Sequence, residues 1–262
     1  IYHNKKNFLE SSFFIKIGND ERLKLYPSDF QLKVKTGKFY ENLNLKDKIL
    51  DNNSSRNDNY IFIVGMPRSG STLLESILSL NTKVTDMGEV TFLEESLKES
   101  KEFSEIFSIY KNKKNFLYKN NGLFTDKNLF NFLYIPIIYN FFPNAKIIHC
   151  VRNPLDNILS IYKTNFLNQS FSSSLIDISN LFVYQTELMN KYKNKYGSIL
   201  YSYYHDEVVL NPSQKIPMLI DWLNWDWDKK YLSPYKNKRA VYTASSAQVR
   251  VEFNSKSLGK WK

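Results

Sequence analysis

Residues 60–75 restrict the fold of this chain more than any other segment, because they combine a strand pattern, a glycine-bounded loop and a helix start. The run from Ile61 to Val64 is apolar and mostly β-branched, which is typical of a strand covered on both faces in a parallel sheet. Gly65 ends the run, and Gly70 follows it in the spacing G-x-x-x-x-G. Backbone N–H groups of such a loop and of the first helical turn can point at one phosphate. The segment therefore predicts an α/β fold with a phosphate-binding loop.

The side chains of this loop favour a nucleotide without a γ-phosphate. A nucleotide triphosphatase loop carries Lys and then Ser or Thr after its second glycine, whereas this chain has Ser71 and Thr72 after Gly70. The positive charge lies inside the loop at Arg68, whose planar guanidinium can bind two oxygens of one tetrahedral anion. Together with Ser69, these residues form the first candidate anion site.

A second strand followed by a helix start lies about 80 residues further along the chain. Residues 146–151 form another apolar run of strand length, and the Asn–Pro pair at 153–154 has the pattern of a helix cap and a first helical position. We expect the helix to run from Leu155 to Phe166. Arg152 at the strand end and Ser160 on this helix can then converge on a second phosphate.

Both segments resemble nucleotide-binding motifs of sulfotransferases that use 3′-phosphoadenosine 5′-phosphosulfate (PAPS). The stretch 62–75 is similar to the 5′-phosphosulfate loop, especially that of the bacterial tetratricopeptide-linked branch and the tyrosylprotein sulfotransferases. The stretch 152–162 is similar to the 3′-phosphate motif, in which an Arg and a Ser bind that phosphate. The resemblance covers about residues 58–262. It implies a P-loop-containing nucleotide-binding fold with a central, mainly parallel sheet flanked by helices, and PAPS as the sulfuryl donor.

A candidate catalytic base follows a short predicted strand at residues 82–87. Gly88 and Glu89 lie at the carboxyl end of that strand, where ligands of open parallel sheets bind. A carboxylate there can take the proton of an acceptor hydroxyl, and the resembled families have a catalytic Glu after a Gly in this region. Tyrosylprotein sulfotransferases have two successive acids, whereas Val follows Glu89 here, so Glu94 and Glu95 are alternative candidates.

Later segments resemble further parts of the family, in the family's order. Residues 124–128 are similar to the segment that carries a Lys toward the transferring sulfonate, which assigns Lys127 to the stabilisation of charge there. After a third predicted strand at 199–204, Tyr204 is expected to contact the nucleotide. Near the end of the chain, the resemblance implies that Ser245 donates a hydrogen bond near the 5′-phosphosulfate and that Lys260 reaches the 3′-phosphate.

The histidines and the single cysteine are assigned no chemistry. Cytosolic sulfotransferases use a His base, but none of His3, His149 and His205 follows the matching motif. His205 replaces an acid that is usual in the family and is predicted to lie on the surface. Cys150 lies inside a predicted strand and is interpreted as a packing residue.

Composition restricts partners and location. The net charge of +10 comes from lysines spread along the whole chain, whereas a nucleic-acid binder would cluster them. We therefore expect no nucleic-acid partner. The family resemblance implies a hydroxyl-bearing acceptor (a peptide tyrosine, a carbohydrate or a small alcohol). No apolar stretch approaches the length of a membrane span and no signal sequence is visible, which predicts a cytoplasmic location. No metal is expected, because cationic side chains neutralise the transferring group.

We predict an N-terminal helical segment and linker at residues 1–58 and a sulfotransferase domain at 59–262. The resemblance to the bacterial branch suggests the last piece of a helical repeat region for the first segment. The helical, charged and aromatic stretch 92–122 is a candidate wall of the acceptor cleft. The predicted reaction is in-line transfer of a sulfuryl group from PAPS to a hydroxyl. Two alternatives are a P-loop nucleotide kinase or triphosphatase, and a catalytically inactive anion-binding domain.

Overall fold

The computed structural model describes residues 7–43, 45, 59–237 and 250–261. In this part of the chain the strands are β1 (Asn59–Gly65), β2 (Val84–Asp86), β3 (Leu123–Asp126), β4 (Lys146–Val151) and β5 (Leu200–Tyr204). The helices are α1 (Phe8–Leu25), α2 (Phe30–Glu41), α3 (Ser71–Leu78), α4 (Phe92–Glu99), α5 (Ile106–Leu117), α6 (Ile135–Phe141), α7 (Pro154–Tyr162), α8 (Leu175–Tyr196), α9 (His205–Leu210) and α10 (Pro212–Trp222).

The five strands form one parallel sheet in the order β2-β3-β1-β4-β5. This arrangement confirms the predicted α/β class with a central parallel sheet. Because all strands run in the same direction, the segments that follow them lie along one edge of the sheet. The central strand β1 has β3 on one side and β4 on the other. A crevice forms at such a change in strand order, and ligands of open α/β sheets bind there.

Both faces of the sheet are buried, as the uninterrupted apolar run in β1 predicts. Tyr60 and Phe62 point to one face, where they contact the aromatic rings of Tyr110 and Phe142. Ile61 and the alternate residues point to the other face, where side chains of α3 and α10 complete the core. The alternation follows from the two-residue period of a strand.

The helix after β4 begins as predicted but ends earlier. Asn153 accepts hydrogen bonds from the backbone N–H groups of Leu155 and Asp156, so it caps α7 as its residue type suggests. The prediction that the helix continues to Phe166 is wrong, because α7 ends at Tyr162. The carbonyl of Tyr162 accepts a hydrogen bond from the Asn19 side chain of α1 at 3.0 Å. A tertiary contact thus satisfies a group at the end of the helix.

Two predicted strands are also longer than the observed ones. A strand is expected at 82–87, but β2 spans only Val84–Asp86. An Asx turn precedes it, in which the backbone N–H of Lys83 donates to the side chain of Asn81 at 3.0 Å. The strand expected at 199–204 begins one residue later, after a 3₁₀ turn at Gly197–Ile199.

The two N-terminal helices pack against the α/β body. Asp29, which precedes α2, accepts a hydrogen bond from the backbone N–H of Phe171 at 2.8 Å. Helix α2 contacts α8 and the 3₁₀ segment Leu129–Tyr134. The domain boundary at residue 58 stays a prediction. Within the described residues, no helix combines the length and apolar character that crossing a bilayer requires.

Candidate active site

The loop after β1 has a conformation that few residue types adopt easily. Gly65 has φ 142° and Gly70 has φ 94°, and a Cβ at residue 65 would lie 2.6 Å from the carbonyl oxygen of Cys150. Arg68 also has a positive φ of 64°, which costs a non-glycine residue on the order of 1 kcal/mol or more. Strained backbone of this kind persists where the surrounding structure holds it, and it clusters at ligand-binding loops.

Side chains from α7 and from the end of β4 hold this loop. Asn157 donates a hydrogen bond to the carbonyl of Pro67 at 2.8 Å, and Arg152 donates one to the carbonyl of Arg68 at 2.9 Å. In return, the Arg68 guanidinium donates to the Ser160 hydroxyl at 3.1 Å. The two predicted anion sites therefore share hydrogen bonds across the β1–β4 boundary.

Arg68 and Arg152 line one cavity of about 630 Å³ at the carboxyl edge of the sheet. Burial lowers the pKa of Arg68, and the neighbouring charge of Arg152 lowers it further. The positive charges of the two guanidinium groups repel each other, and a bound polyanion would offset that repulsion. The geometry thus suits a ligand that carries several negative charges.

Further residues of the cavity wall extend its positive character. Ser160 and Lys260 were predicted to bind the 3′-phosphate, and both line this cavity together with Gly70 and Thr72. Lys163 and Lys256 also line it, and neither was predicted. Their only signal in the sequence is proximity, since Lys163 follows Ser160 by three positions and Lys256 precedes Lys260 by four.

The C-terminal segment 250–261 forms one wall of the cavity and is held by charged side chains at the junction between β4 and α7. Arg152 donates a hydrogen bond to the carbonyl of Ser257 at 2.8 Å. Asp156, in the first turn of α7, accepts from the backbone N–H groups of Gly259 at 2.7 Å and Trp261 at 3.3 Å. These contacts place Lys260 at the cavity. Ser245, predicted to lie near the 5′-phosphosulfate, is outside the described residues.

His205 lies in the cavity wall, and its predicted surface position is wrong. Only 8% of the residue is exposed, because α9 begins directly at the end of β5 and turns the imidazole against the phosphate loop. A Cβ at residue 70 would lie 2.2 Å from Nδ1 of His205, so the absence of a side chain at Gly70 makes room for the ring. Burial, and then the charge of Arg152, lower the pKa of His205 to about 4, which keeps the ring neutral at pH 7.

The structure places the side chains of Tyr204 and Ser69 at a smaller cavity. This second cavity has a volume of about 210 Å³ and also reaches Arg152, His149 and Gln185. Tyr204 is half exposed and does not line the larger cavity. Ser71 is buried at the first position of α3. Of the predicted nucleotide-binding side chains, the larger cavity therefore collects those of Arg68, Thr72, Arg152, Ser160 and Lys260.

A buried histidine in the smaller cavity predicts how stability depends on pH. His149 contacts Gln185, with 2.5 Å between their side-chain nitrogens, and burial, followed by the Lys193 charge, lowers the pKa of His149 to about 4. An unfolded His has a pKa of about 6.5, so the unfolded state binds more protons between these values and stability falls as the pH drops. Between pH 7.5 and 4.5 this residue should lower the free energy of unfolding of the wild type by roughly 2.5 kcal/mol, and His149→Gln should abolish that contribution. Urea unfolding across this pH range measures the difference.

The difference between the two proteins at pH 7.5, where the ring is neutral in both states, reports packing alone. Parallel stability curves for the wild type and the variant across the whole range would show that His149 does not titrate as inferred.

Lys127 and Glu89 form an ion pair next to the phosphate loop. The backbone N–H of Lys127 donates to the carbonyl of Gly88 at 2.8 Å, which extends the β2–β3 pairing by one step and brings the two residues side by side. The Lys127 ammonium lies 2.7 Å from the Glu89 carboxylate. Lys127 is fully buried, whereas 57% of the Glu89 side chain is exposed. Neither residue lines the 630 Å³ cavity.

The alternative acids have other partners. Glu94 lies 2.6 Å from Lys98 on the same helix, and Glu95 lies 3.1 Å from Lys113 of α5. The pair of Glu94 is solvent exposed on α4, whereas the pair of Glu95 joins α4 to a Lys113 side chain that is 22% exposed. Of the three acids considered, Glu89 is the one that contacts Lys127. In the described part of the chain, no group of three or more His, Cys, Asp or Glu side chains is placed to hold a metal ion, and the expected independence from metal stays a prediction.

A parallel sheet with a glycine-bounded loop between a strand and a helix at its carboxyl edge defines a protein with a P-loop-type fold. The family model described as "Sulfotransferase family" matches residues 60–118 and 104–229 of this chain. The chain belongs to the sulfotransferase family, as the resemblance of its two phosphate motifs indicated.

Known relatives agree with this placement. An uncharacterized protein of Aquifex aeolicus (strain VF5) is 30% identical over 229 residues, covering 77% of this chain and 30% of the relative. The chain thus spans less than a third of that curated relative's length. The sulfotransferase domain of the Synechococcus PCC 7002 olefin synthase superposes with a TM-score of 0.58 at 19% identity, covering 80% of this chain and 89% of the domain. The sulfotransferase domain from the curacin biosynthetic pathway gives 0.53 at 18% identity, covering 74% and 83%. These two structures share the fold.

Proposed function

We propose that this protein transfers a sulfuryl group from PAPS to a hydroxyl acceptor by in-line displacement. The observation that carries the proposal is the convergence of Arg68 and Arg152 in one cavity, together with Ser160 and Lys260. A nucleotide with phosphate groups at its 3′ and 5′ positions offers charge at two ends, and this cavity offers donors from two separate junctions. Family membership supports the same donor.

The nucleotide-binding roles follow the two junctions. Residues 68–72, at the N-terminus of α3, bind the 5′-phosphate end, where backbone N–H groups and the Arg68 guanidinium favour negative charge. Arg152, Ser160 and Lys260 bind the 3′-phosphate. Lys163, beside Ser160, adds positive charge on that side. The roles of Tyr204 and Ser245 are supported by the family resemblance alone.

The proton transfer and part of the charge stabilisation are assigned to the ion pair of Glu89 and Lys127, which follow β2 and β3. Glu89 takes the proton of the acceptor hydroxyl. Lys127 and Arg68 stabilise the negative charge on the transferring sulfonate and on the leaving 5′-phosphate oxygen. Because Glu89 covers the ammonium of Lys127, the carboxylate must shift toward the acceptor before Lys127 reaches the sulfonate. The exposed position of Glu89 permits this shift.

The acceptor class stays open among a peptide tyrosine, a carbohydrate and a small alcohol. Labelled PAPS should be incubated with the protein and one acceptor of each class, and calorimetry should compare 3′,5′-adenosine bisphosphate (PAP) with ATP and Mg²⁺. We expect transfer to at least one acceptor and at least tenfold tighter binding of PAP.

Each alternative function has its own signature in this experiment. Tighter binding of ATP with Mg²⁺ would favour a P-loop kinase or triphosphatase. The loop of such proteins needs a Lys after its second glycine, where this chain has Ser71. Binding of PAP without transfer to any acceptor would favour an inactive anion-binding domain.

A further inference from the structure

Lys127 lies between two carboxylates that differ in their access to solvent. Its ammonium is 2.7 Å from Glu89 and 3.8 Å from Glu75. The side chains of Lys127 and Glu75 are 0% and 2% exposed, and that of Glu89 is 57% exposed. A buried ammonium without a carboxylate partner is strongly unfavourable. The buried partner and the exposed partner therefore have different consequences for the site.

The two acids also differ in how firmly the fold holds them. Glu75 lies on α3, one turn after Ser71, and its neighbour Leu74 is fully buried in the core. Glu89 lies in the segment after β2, next to Gly88 with φ 68°, at which an added Cβ would meet nothing within 4 Å. Helix α3 thus fixes Glu75 in place, whereas Glu89 has 57% of its side chain exposed to solvent.

The other buried acid near this site is occupied by other donors. Asp126 accepts hydrogen bonds from the hydroxyl of Tyr110 at 2.8 Å, from the side chain of Asn131 at 3.0 Å and from the backbone N–H of Asn128 at 3.0 Å. Burial raises the pKa of Asp126 to about 7, and the nearby charge of Glu75 adds to this rise. Glu75 is therefore the buried acid that remains to balance Lys127 when Glu89 moves away.

We propose that Glu75 is a positioning residue, the permanent counter-ion that keeps Lys127 charged and in place while Glu89 leaves it to act as the base. This inference rests on the proposed function, in which Glu89 moves away from Lys127 to act as the base. It also assigns a second task to helix α3. The N-terminus of this helix faces the nucleotide cavity, and its next turn supports the cation used in the transfer.

A double-mutant cycle between Glu75→Gln and Lys127→Met tests this proposal. We expect Glu75→Gln to lower kcat by about 10- to 100-fold while the dissociation constant for PAP changes less than twofold, because Glu75 does not line the nucleotide cavity. In the Lys127→Met protein, the same change should alter kcat less than twofold. Glu75→Asp keeps the charge and should recover part of the loss. Glu41→Gln, which removes a partly buried acid of α2 that pairs with Lys191 at 2.6 Å, is the matched control.

The melting temperature gives a second readout that does not depend on activity. Lys127→Met leaves the buried Glu75 carboxylate without this ammonium and should melt about 10 °C lower. Glu75→Gln leaves Lys127 paired with the exposed Glu89 alone and should melt lower by a smaller amount. The double variant, with no charge at either position, should recover most of the loss seen in Lys127→Met. If Glu75→Gln does not fold, the double variant and Glu75→Asp still complete the comparison.

Additive effects on kcat, or a PAP affinity that falls with kcat in Glu75→Gln, would overturn the positioning role. If the unmodified protein transfers nothing, the proposed function fails instead, and the melting cycle alone decides whether Glu75 is the counter-ion of Lys127.

Discussion

Glu89→Gln is expected to lower kcat for sulfuryl transfer by about a thousandfold while the affinity for PAP stays within about twofold. The amide has nearly the shape of the carboxylate but cannot accept the acceptor proton, and general bases contribute about 10²- to 10⁴-fold. Binding of PAP should persist because Glu89 lies outside the cavity that holds Arg68 and Arg152. Steady-state assays with labelled PAPS and calorimetry with PAP measure the two quantities.

The variants that accompany Glu89→Gln separate the competing assignments of the base. Glu99→Gln removes an exposed acid of α4 that pairs with Lys113 at 2.7 Å, and it should leave turnover unchanged. Glu94→Gln and Glu95→Gln change the two alternative acids on the same helix. A large loss in either of these variants, with normal turnover in Glu89→Gln, would show that the base is assigned to the wrong residue.

Arg68→Ala is expected to weaken PAP binding about 100-fold and to lower kcat/KM for transfer by at least about a thousandfold. The side chain provides two-point binding of the 5′-phosphate end and stabilises the transferring group, and losing one such donor costs about 10²- to 10³-fold in the chemical step alone. The backbone at this position has φ 64°, and alanine experiences the same strain there as arginine. The fold should therefore survive the change.

Comparison with two further variants isolates the role of this guanidinium. Arg68→Lys keeps the charge but not the planar fork, and it should recover only part of the binding. Arg22→Ala removes an exposed arginine of α1 that donates to Asn165 at 2.7 Å, and it should behave like the wild type. Turnover close to normal in a folded Arg68→Ala protein would refute the mechanism.

The two strand–helix junctions could be predicted from the sequence because their signals are local. An apolar run, a glycine pair and a polar first turn define the loop before α3, and an Asn–Pro pair defines the start of α7. Both patterns depend on neighbours within a few positions. The parallel sheet follows from them, since such units bury both faces of each strand.

Other parts of the site depend on contacts that a local pattern does not contain. The burial of His205 results from its packing against Gly70, and the early end of α7 coincides with a hydrogen bond from Asn19. Tyr204 likewise lines the smaller cavity with Phe182 and Gln185 of α8, which lie about 20 positions before it in the chain. For Lys127, the resemblance identified the residue, but its complete burial between Glu75 and Glu89 is visible only in three dimensions.

The hydrogen bond from Arg152 to the carbonyl of Arg68 joins residues 84 positions apart, which has a consequence for how the protein matures. Both pairing partners of strand β1 lie after it in the chain and are synthesised later. Contacts of such long range are formed slowly. A nascent chain that ends before Lys146 exposes one edge of β1 and has no closed pocket, so we expect the ability to bind a nucleotide to arise only after β4 and α7 have been translated.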